Sequence, residues 1–257
     1  MSADNKWKWL QSAASAVFGF VFVLCFWYVA RFLVTADNRW LLPSPYEVAK
    51  LVLTNGTTFL NAAVSTGQAT LLGFAVGAIT GFCMAIAFHL IPSVGRALLP
   101  FVSTLPAIPV IAVAPLVVLW LGFGISSKVF IIAFICFFPV LVTVLAGLTQ
   151  GYPAQREFLK MQGASRRARF LYMDLPSAVT FFGAGIKTAA PLAVIGAIVA
   201  EYVAPKDGLG YLVLTYALRT NTTGVIAAAL SCACLGLLFS GFAALSGALL
   251  QRRFPPE

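Results

Sequence analysis

Long, uninterrupted apolar runs dominate this sequence. Six stand out, near 16–35, 64–88, 98–121, 129–148, 180–200 and 224–249, with shorter polar segments between them. None alternates every second residue, as the strands of a closed β-barrel would. A helix needs about 20 apolar residues to cross a hydrocarbon core of ~30 Å, and each run is that long. The pattern predicts an all-α integral membrane protein with six transmembrane helices. The membrane domain spans 16–249, between an N-terminal tail (1–15) and a C-terminal tail (250–257).

Composition narrows the class further. Of 257 residues, 60% are hydrophobic and 10% are charged, whereas a soluble domain is roughly a quarter charged. Too little polar surface remains for a soluble enzyme, and disorder is excluded for the same reason. The basic N-terminus, MSADNKWKW, is followed by an apolar run to Val34 with no small-residue cleavage site, which reads as a retained first helix. Cys25, Cys83, Cys136, Cys232 and Cys234 all fall in apolar runs, without CxxC spacing or a nearby histidine. They read as small buried hydrophobes rather than a disulfide or zinc framework.

The +9 formal charge sets an orientation. With the N-terminus in the cytoplasm, inside segments carry Lys6, Lys8, Arg96, Arg156, Lys160, Arg166, Arg167, Arg169, Arg252 and Arg253. Outside segments carry Arg31, Arg39, Lys50, Lys128, Lys206 and Arg219. This bias favours cytoplasmic N- and C-termini. Lys187 falls inside the fifth span.

Local signals add detail. Ser44-Pro45-Tyr46-Glu47 fits a capping box with proline at the first helical position, and Asn55-Gly56 a stop, so a short outer helix is expected there. Ala69, Gly73, Gly77, Gly81 and Ala85 form a stripe with a four-residue repeat. It suits close helix packing, within the chain or between subunits. Gly236, Ser240 and Ala244 form a weaker version in the last span.

The third span holds Pro106, Pro109 and Pro115 after Pro100. These prolines deprive the carbonyls of Val102, Leu105 and Ile111 of their helical donors, and unpaired carbonyls must face protein or a water-filled cavity. Pro106, Pro109 and Pro115 are therefore candidate pathway-lining residues, as broken helices often border transport sites. Lys187 is a fourth candidate, a cation at membrane depth suited to an anionic solute, with snorkelling to the inner interface as the alternative. Pro191, four residues later, frees its carbonyl. Glu201 is a fifth candidate, although Glu201 and His89 lie near span ends, where interfacial polar residues are common.

The longest inside loop, 150–177, contains Arg156, Lys160, Arg166, Arg167 and Arg169. Pro153 suits the first turn of one short helix and Gly163 its end. Ser165 suits the cap of a second, which must stop before Leu175-Pro176. A basic amphipathic loop of this kind also fits a headgroup anchor. The spacing Glu157-Phe158-Leu159-x3-Gly163-x9-Met173-x-Leu175-Pro176 resembles the EAA loop of permease subunits of ATP-binding-cassette importers, E-A-A-x3-G-x9-I-x-L-P. Phe158, Leu159 and Met173 depart from it with apolar residues. Leu42-Pro-Ser-Pro45, Ile108-Pro109, Pro115 to Gly124, Ser127-Lys128, Phe137-Phe-Pro139, Ala200-Glu201 and Gly208-Leu-Gly210 are similar to the nitrate/sulfonate/taurine subfamily, which also includes bicarbonate and thiamin-precursor permeases.

That resemblance implies a type I importer permease (MetI-like) fold in the bacterial inner membrane. It implies a second permease copy, two ATPase subunits and a periplasmic solute-binding protein. Glu157, Phe158, Leu159, Gly163, Ala164, Leu175 and Pro176 would then couple the permease to the ATPase by a helix-in-groove contact, and Gly73, Gly77 and Gly81 would serve helix packing. ATP and Mg would bind the partner ATPase, since no G-x4-G-K-[ST] occurs here. No cofactor or metal is expected on this chain. Small anions such as sulfonates, taurine, nitrate or bicarbonate are the first expectation for the solute, and a pyrimidine or other vitamin-like heterocycle the second. An ion-coupled secondary transporter is a rival that usually needs acidic or histidine groups deep in its spans, where this sequence offers only His89 and Glu201, both near span ends; a non-transporting scaffold is a further rival. Basic residues split among short loops do not support nucleic-acid binding, and no catalytic constellation is visible.

Overall fold

The computed structural model describes residues 18–19, 21–33, 40–150, 157–159 and 161–253. Among these residues every regular element is helical. Helix α1 runs Val21–Leu33; residues 18–19 of the predicted first span are also helical, and 16–17, 20 and 34–35 lie outside the described residues. Helix α2 covers Pro45–Thr54. Ser44 Oγ accepts from the Glu47 N–H, and Glu47 Oε2 accepts from the Ser44 N–H at 2.7 Å, so the capping box is formed. The Glu47 carboxyl lies below its ordinary pKa because the Ser44 backbone N–H bonds its charged form. Arg31 Nη1 reaches Glu47 Oε2 at 3.2 Å and the Leu42 carbonyl at 3.0 Å, tying α1 to the start of α2.

The body of the molecule is built from long helices: α3 (Gly56–Leu90), α6 (Ile125–Gln150), α7 (Arg166–Val203) and α9 (Thr222–Arg253). Helices α3, α6 and α7 share one buried core with residues such as Ile132, Cys136, Val140, Leu141, Ala189 and Ala193. The small-residue stripe explains how closely α3 approaches α6. A Cβ on Gly77 would lie 2.5 Å from the Ala133 carbonyl oxygen, and one on Gly81 2.6 Å from that of Phe137. Helix α9 packs on α7, where a Cβ on Gly183 would lie 2.8 Å from the Gly247 carbonyl oxygen. A second cluster, including Val48, Phe59, Leu212 and Ala228, joins α2 and the start of α3 to α9 and to α8 (Leu209–Leu218).

Several expectations change. The run at 98–121 is not one continuous helix. It forms α4 (Pro92–Thr104) and α5 (Val110–Leu121), bent by 101° across a 3₁₀ turn at Leu105–Ala107. Among the described residues, four helices are therefore long and apolar enough to cross a membrane, or five if the bent pair counts as one. The second helix of the 150–177 loop does not stop before Leu175-Pro176. It continues through a π segment, Phe170–Asp174, into the fifth predicted span. There the Leu175 N–H bonds the Phe170 carbonyl, a wider register that absorbs the missing donor of Pro176. Helix α8 was not anticipated. Cys136 and Cys232 are buried, but Cys25, Cys83 and Cys234 are exposed, as apolar side chains on a lipid-facing surface can be.

Candidate functional site

Three places in this scaffold carry predicted site residues. The first is the loop joining α6 to α7. Glu157, Phe158 and Leu159 are helical, and Phe158 and Met161 are exposed. The turn ends at Gly163 with φ +71°, and the Ala164 N–H bonds the Leu159 carbonyl at 3.0 Å. This is the long hydrogen bond of a Schellman cap, which favours glycine at the left-handed position. Nothing lies within 4 Å of a Cβ at Gly163, so backbone conformation rather than crowding calls for glycine. Ser165 Oγ then accepts from the Ala168 N–H and starts α7. Leu175 and Pro176 lie beyond the π segment, half-buried, and Ser177 Oγ anchors α7 to α6 through the Gly147 carbonyl at 2.8 Å. Pro153 lies outside the described residues.

The second place is the bent pair. The lost donors of Pro106 and Pro109 are replaced one residue earlier. The Val102 carbonyl accepts from Leu105 N–H, and the Leu105 carbonyl accepts from Ile108 N–H at 3.1 Å. A cavity of about 300 Å³ opens beside the bend, lined by Pro106, Val110, Phe134, Phe138, Pro139 and Leu192 among others, all apolar. Pro106 is on its wall, Pro109 forms the corner as the N-cap of α5, and Pro115 lies within α5. Lys187 is not brought to this cavity. Its Nζ donates to Gln251 Oε1 at 3.0 Å, with its stem against Gly247 of α9.

The third place is a buried polar junction where α3, α6 and α7 meet α8. Glu201 has no exposed surface. Its Oε2 accepts from Gly210 N–H at 2.8 Å, its Oε1 accepts from Thr66 Oγ1 at 2.9 Å, and Lys128 Nζ lies 3.5 Å away. Thr66 Oγ1 in turn accepts from Leu209 N–H at 2.8 Å. Lys128, also buried, donates to Asp207 Oδ1 at 2.6 Å and to the Asp207 carbonyl at 2.9 Å, while Ser65 Oγ donates to Asp207 Oδ2 at 2.8 Å. Gly208 takes φ +110°, and a Cβ there would collide with the Glu201 carboxylate. A Cβ on Gly210 would lie 3.0 Å from the Glu201 Cβ. The separate fragments Ser127-Lys128, Ala200-Glu201 and Gly208-Leu-Gly210 thus assemble into one network. Partial burial raises the Asp207 pKa, but the Lys128 and Ser65 hydrogen bonds and the Lys128 and Lys206 charges outweigh it and hold the carboxyl below its ordinary value. Spacing gave the fragments but not the Lys128–Glu201 partnership.

A fourth contact, also unforeseen, lies at the opposite end: His89 Nε2 sits 3.0 Å from Asp174 Oδ2, joining the end of α3 to the π segment. Among the described residues no group of three or more His, Cys, Asp or Glu could hold a metal ion.

Comparison with known proteins gives a consistent picture. The family model described as "Binding-protein-dependent transport system inner membrane component" matches residues 73–254. The chain is 31% identical to the formylaminopyrimidine transport permease protein ThiX of Halalkalibacterium halodurans, over 88% of this chain and 89% of that one. It is 29% identical to the putative aliphatic sulfonates transport permease protein SsuC of Escherichia coli, over 95% and 92%. A crystal structure of an amino acid ABC transporter with histidines aligns with TM-score 0.64 and 17% identity, covering 77% of this chain and 96% of that one, a likeness of fold.

Proposed function

Because the chain belongs to the family of binding-protein-dependent transport system inner membrane components, and so is the permease subunit of an ATP-binding-cassette importer, we propose that two copies form its pathway and two separate ATPase subunits drive it. A receptor on the far side of the membrane delivers the solute. The loop at Glu157–Pro176 is the docking element, with cytoplasmic termini and six crossings. The observation that carries this reading is the glycine-capped turn at Gly163, which holds the exposed Phe158 and Met161 ahead of a helix that runs without a break from Arg166 to Val203. An ATPase that grips the turn therefore moves the whole of α7 as a lever. The test is Gly163→Val in the assembled complex reconstituted in vesicles. The left-handed cap strains a β-branched residue by about 1–2 kcal/mol or more. ATP-driven uptake is expected to fall at least roughly tenfold while membrane insertion and ATP binding persist. Unchanged uptake overturns the docking assignment.

The cavity at the bend bears on the choice of solute. Its lining is apolar and Lys187 turns away from it. That supports a small uncharged or weakly charged nitrogen heterocycle, the class named for the ThiX relative. A sulfonate, as named for the SsuC relative, is the second reading and needs a cation along the pathway. Mass spectrometry of the ligand retained by the co-purified receptor separates the two: a heterocycle supports the first, a permanent anion overturns it.

A further inference from the structure

At the loop end of the spans, a cavity of about 290 Å³ opens between the end of α3, the start of α4 and the start of α7. Its polar lining is Arg166, Arg169, His89 and Asp174, and its apolar lining includes Leu90, Pro92 and Phe170. The His89–Asp174 contact at 3.0 Å engages the one carboxylate of this lining. Arg169 Nε is buried without a hydrogen-bond partner among the described residues, a costly state for a charged donor. Two arginines thus line a pocket whose own carboxylate is already held by an imidazole. We infer that this cavity binds the phosphodiester headgroup of an anionic phospholipid. Guanidinium groups match phosphate oxygens in forked pairs, and Arg169 Nε–H is the donor such a ligand would satisfy.

A lipid source fits the depth. The pocket sits where two membrane-crossing helices end, and its flanks present Leu90, Ile91, Leu171 and Tyr172 outward, Tyr172 at 80% exposure. Tyrosine beside exposed aliphatic side chains is the pattern of a headgroup boundary, and basic pockets between spans are suited to lipid phosphates. The site needs neither the ATPase contact nor a particular solute.

Native mass spectrometry of the detergent-solubilised complex, titrated with dimyristoyl phosphatidylglycerol or dimyristoyl phosphatidylcholine, tests this. Three forms are compared: the natural sequence, R166Q/R169Q, and R252Q/R253Q, which removes equal charge from the end of α9. The natural form is expected to retain phosphatidylglycerol over phosphatidylcholine. R166Q/R169Q is expected to lose roughly tenfold of that retention and R252Q/R253Q little. A matched thermal melt confirms that the variants are folded, and R169K, which keeps charge but loses the fork, should retain an intermediate amount. Equal retention by all three forms overturns the proposal. Displacement of the lipid by inorganic phosphate at millimolar concentration assigns the pocket to free phosphate and overturns the lipid source. Retention by the isolated permease that vanishes when the ATPase is present assigns it to a protein contact and overturns it too.

Discussion

Lys128 shows how one side chain can hold several elements. It sits between Glu201, which has no exposed surface, and Asp207, which is half in solvent. Replacing Lys128 with Met leaves the Glu201 carboxylate buried without its cation, a loss of about 3–5 kcal/mol. Replacing both, K128M/E201Q, removes the stranded charge while Gln keeps an acceptor for Gly210 N–H. The double variant is therefore expected to melt well above K128M in detergent, close to the natural protein. If the two losses simply add, the charge account is wrong. Asp207 behaves differently with pH. Its pKa is lowered in the folded state, so its contribution is present above the ordinary aspartate range and is lost as pH falls through the lowered value. The Lys128–Asp207 contact is accordingly constant between about pH 8 and about pH 5. None of this partnership was visible in the sequence, because Lys128 and Asp207 lie 79 residues apart and charge counting treats each as loop decoration.

Elements were legible in proportion to how local their determinants are. The capping box of α2 and the glycine end of the turn at Gly163 are set by neighbours within about one turn, and both were readable. The bend between α4 and α5 was readable as missing donors, yet its angle was not, because the 3₁₀ bonds that replace them depend on where the chain finds room. Helix α8 was missed for a clear reason: the N–H of its first residue, Leu209, is capped by Thr66 Oγ1, 143 residues away. The small-residue stripe left two readings open, and here it lies against α6 of the same chain. Gly77→Val would force a branched side chain onto the Ala133 carbonyl, where even a Cβ lies at 2.5 Å. Overpacking of this kind costs roughly 1–3 kcal/mol. G77V is expected to lower the melting temperature and the yield extracted from membranes. Gly67→Ala, whose added Cβ meets only Leu235 at 3.8 Å, is expected to do neither. Equal behaviour of the two would place the stripe on a free surface.

At the scale of the molecule, polarity is gathered at the ends and the middle is apolar. The Lys128–Glu201–Asp207 junction pins one end, and His89–Asp174 with the arginines of the loop occupies the other. Hydropathy alone made this division legible, since it follows from the cost of charge at membrane depth. Hydropathy could not show which way a single mid-span cation points. Lys187 was the natural anion site on sequence grounds, but its Nζ is spent on Gln251 and its stem covers Gly247 of α9. The cavity beside the bend thus has no charged residue in its lining. Lys187→Met keeps a stem of similar length over Gly247 and gives up one partly exposed hydrogen bond, worth about 1 kcal/mol. ATP-driven uptake by the reconstituted complex is therefore expected to stay within about twofold, since 1 kcal/mol spread over all transport states changes no single barrier. Selectivity between a heterocycle and a sulfonate should also be unchanged. Loss of uptake in K187M, with assembly and ATP hydrolysis intact, would return Lys187 to the pathway. The sulfonate reading would then displace the heterocycle, because only a solute that carries its own negative charge gains from a cation there.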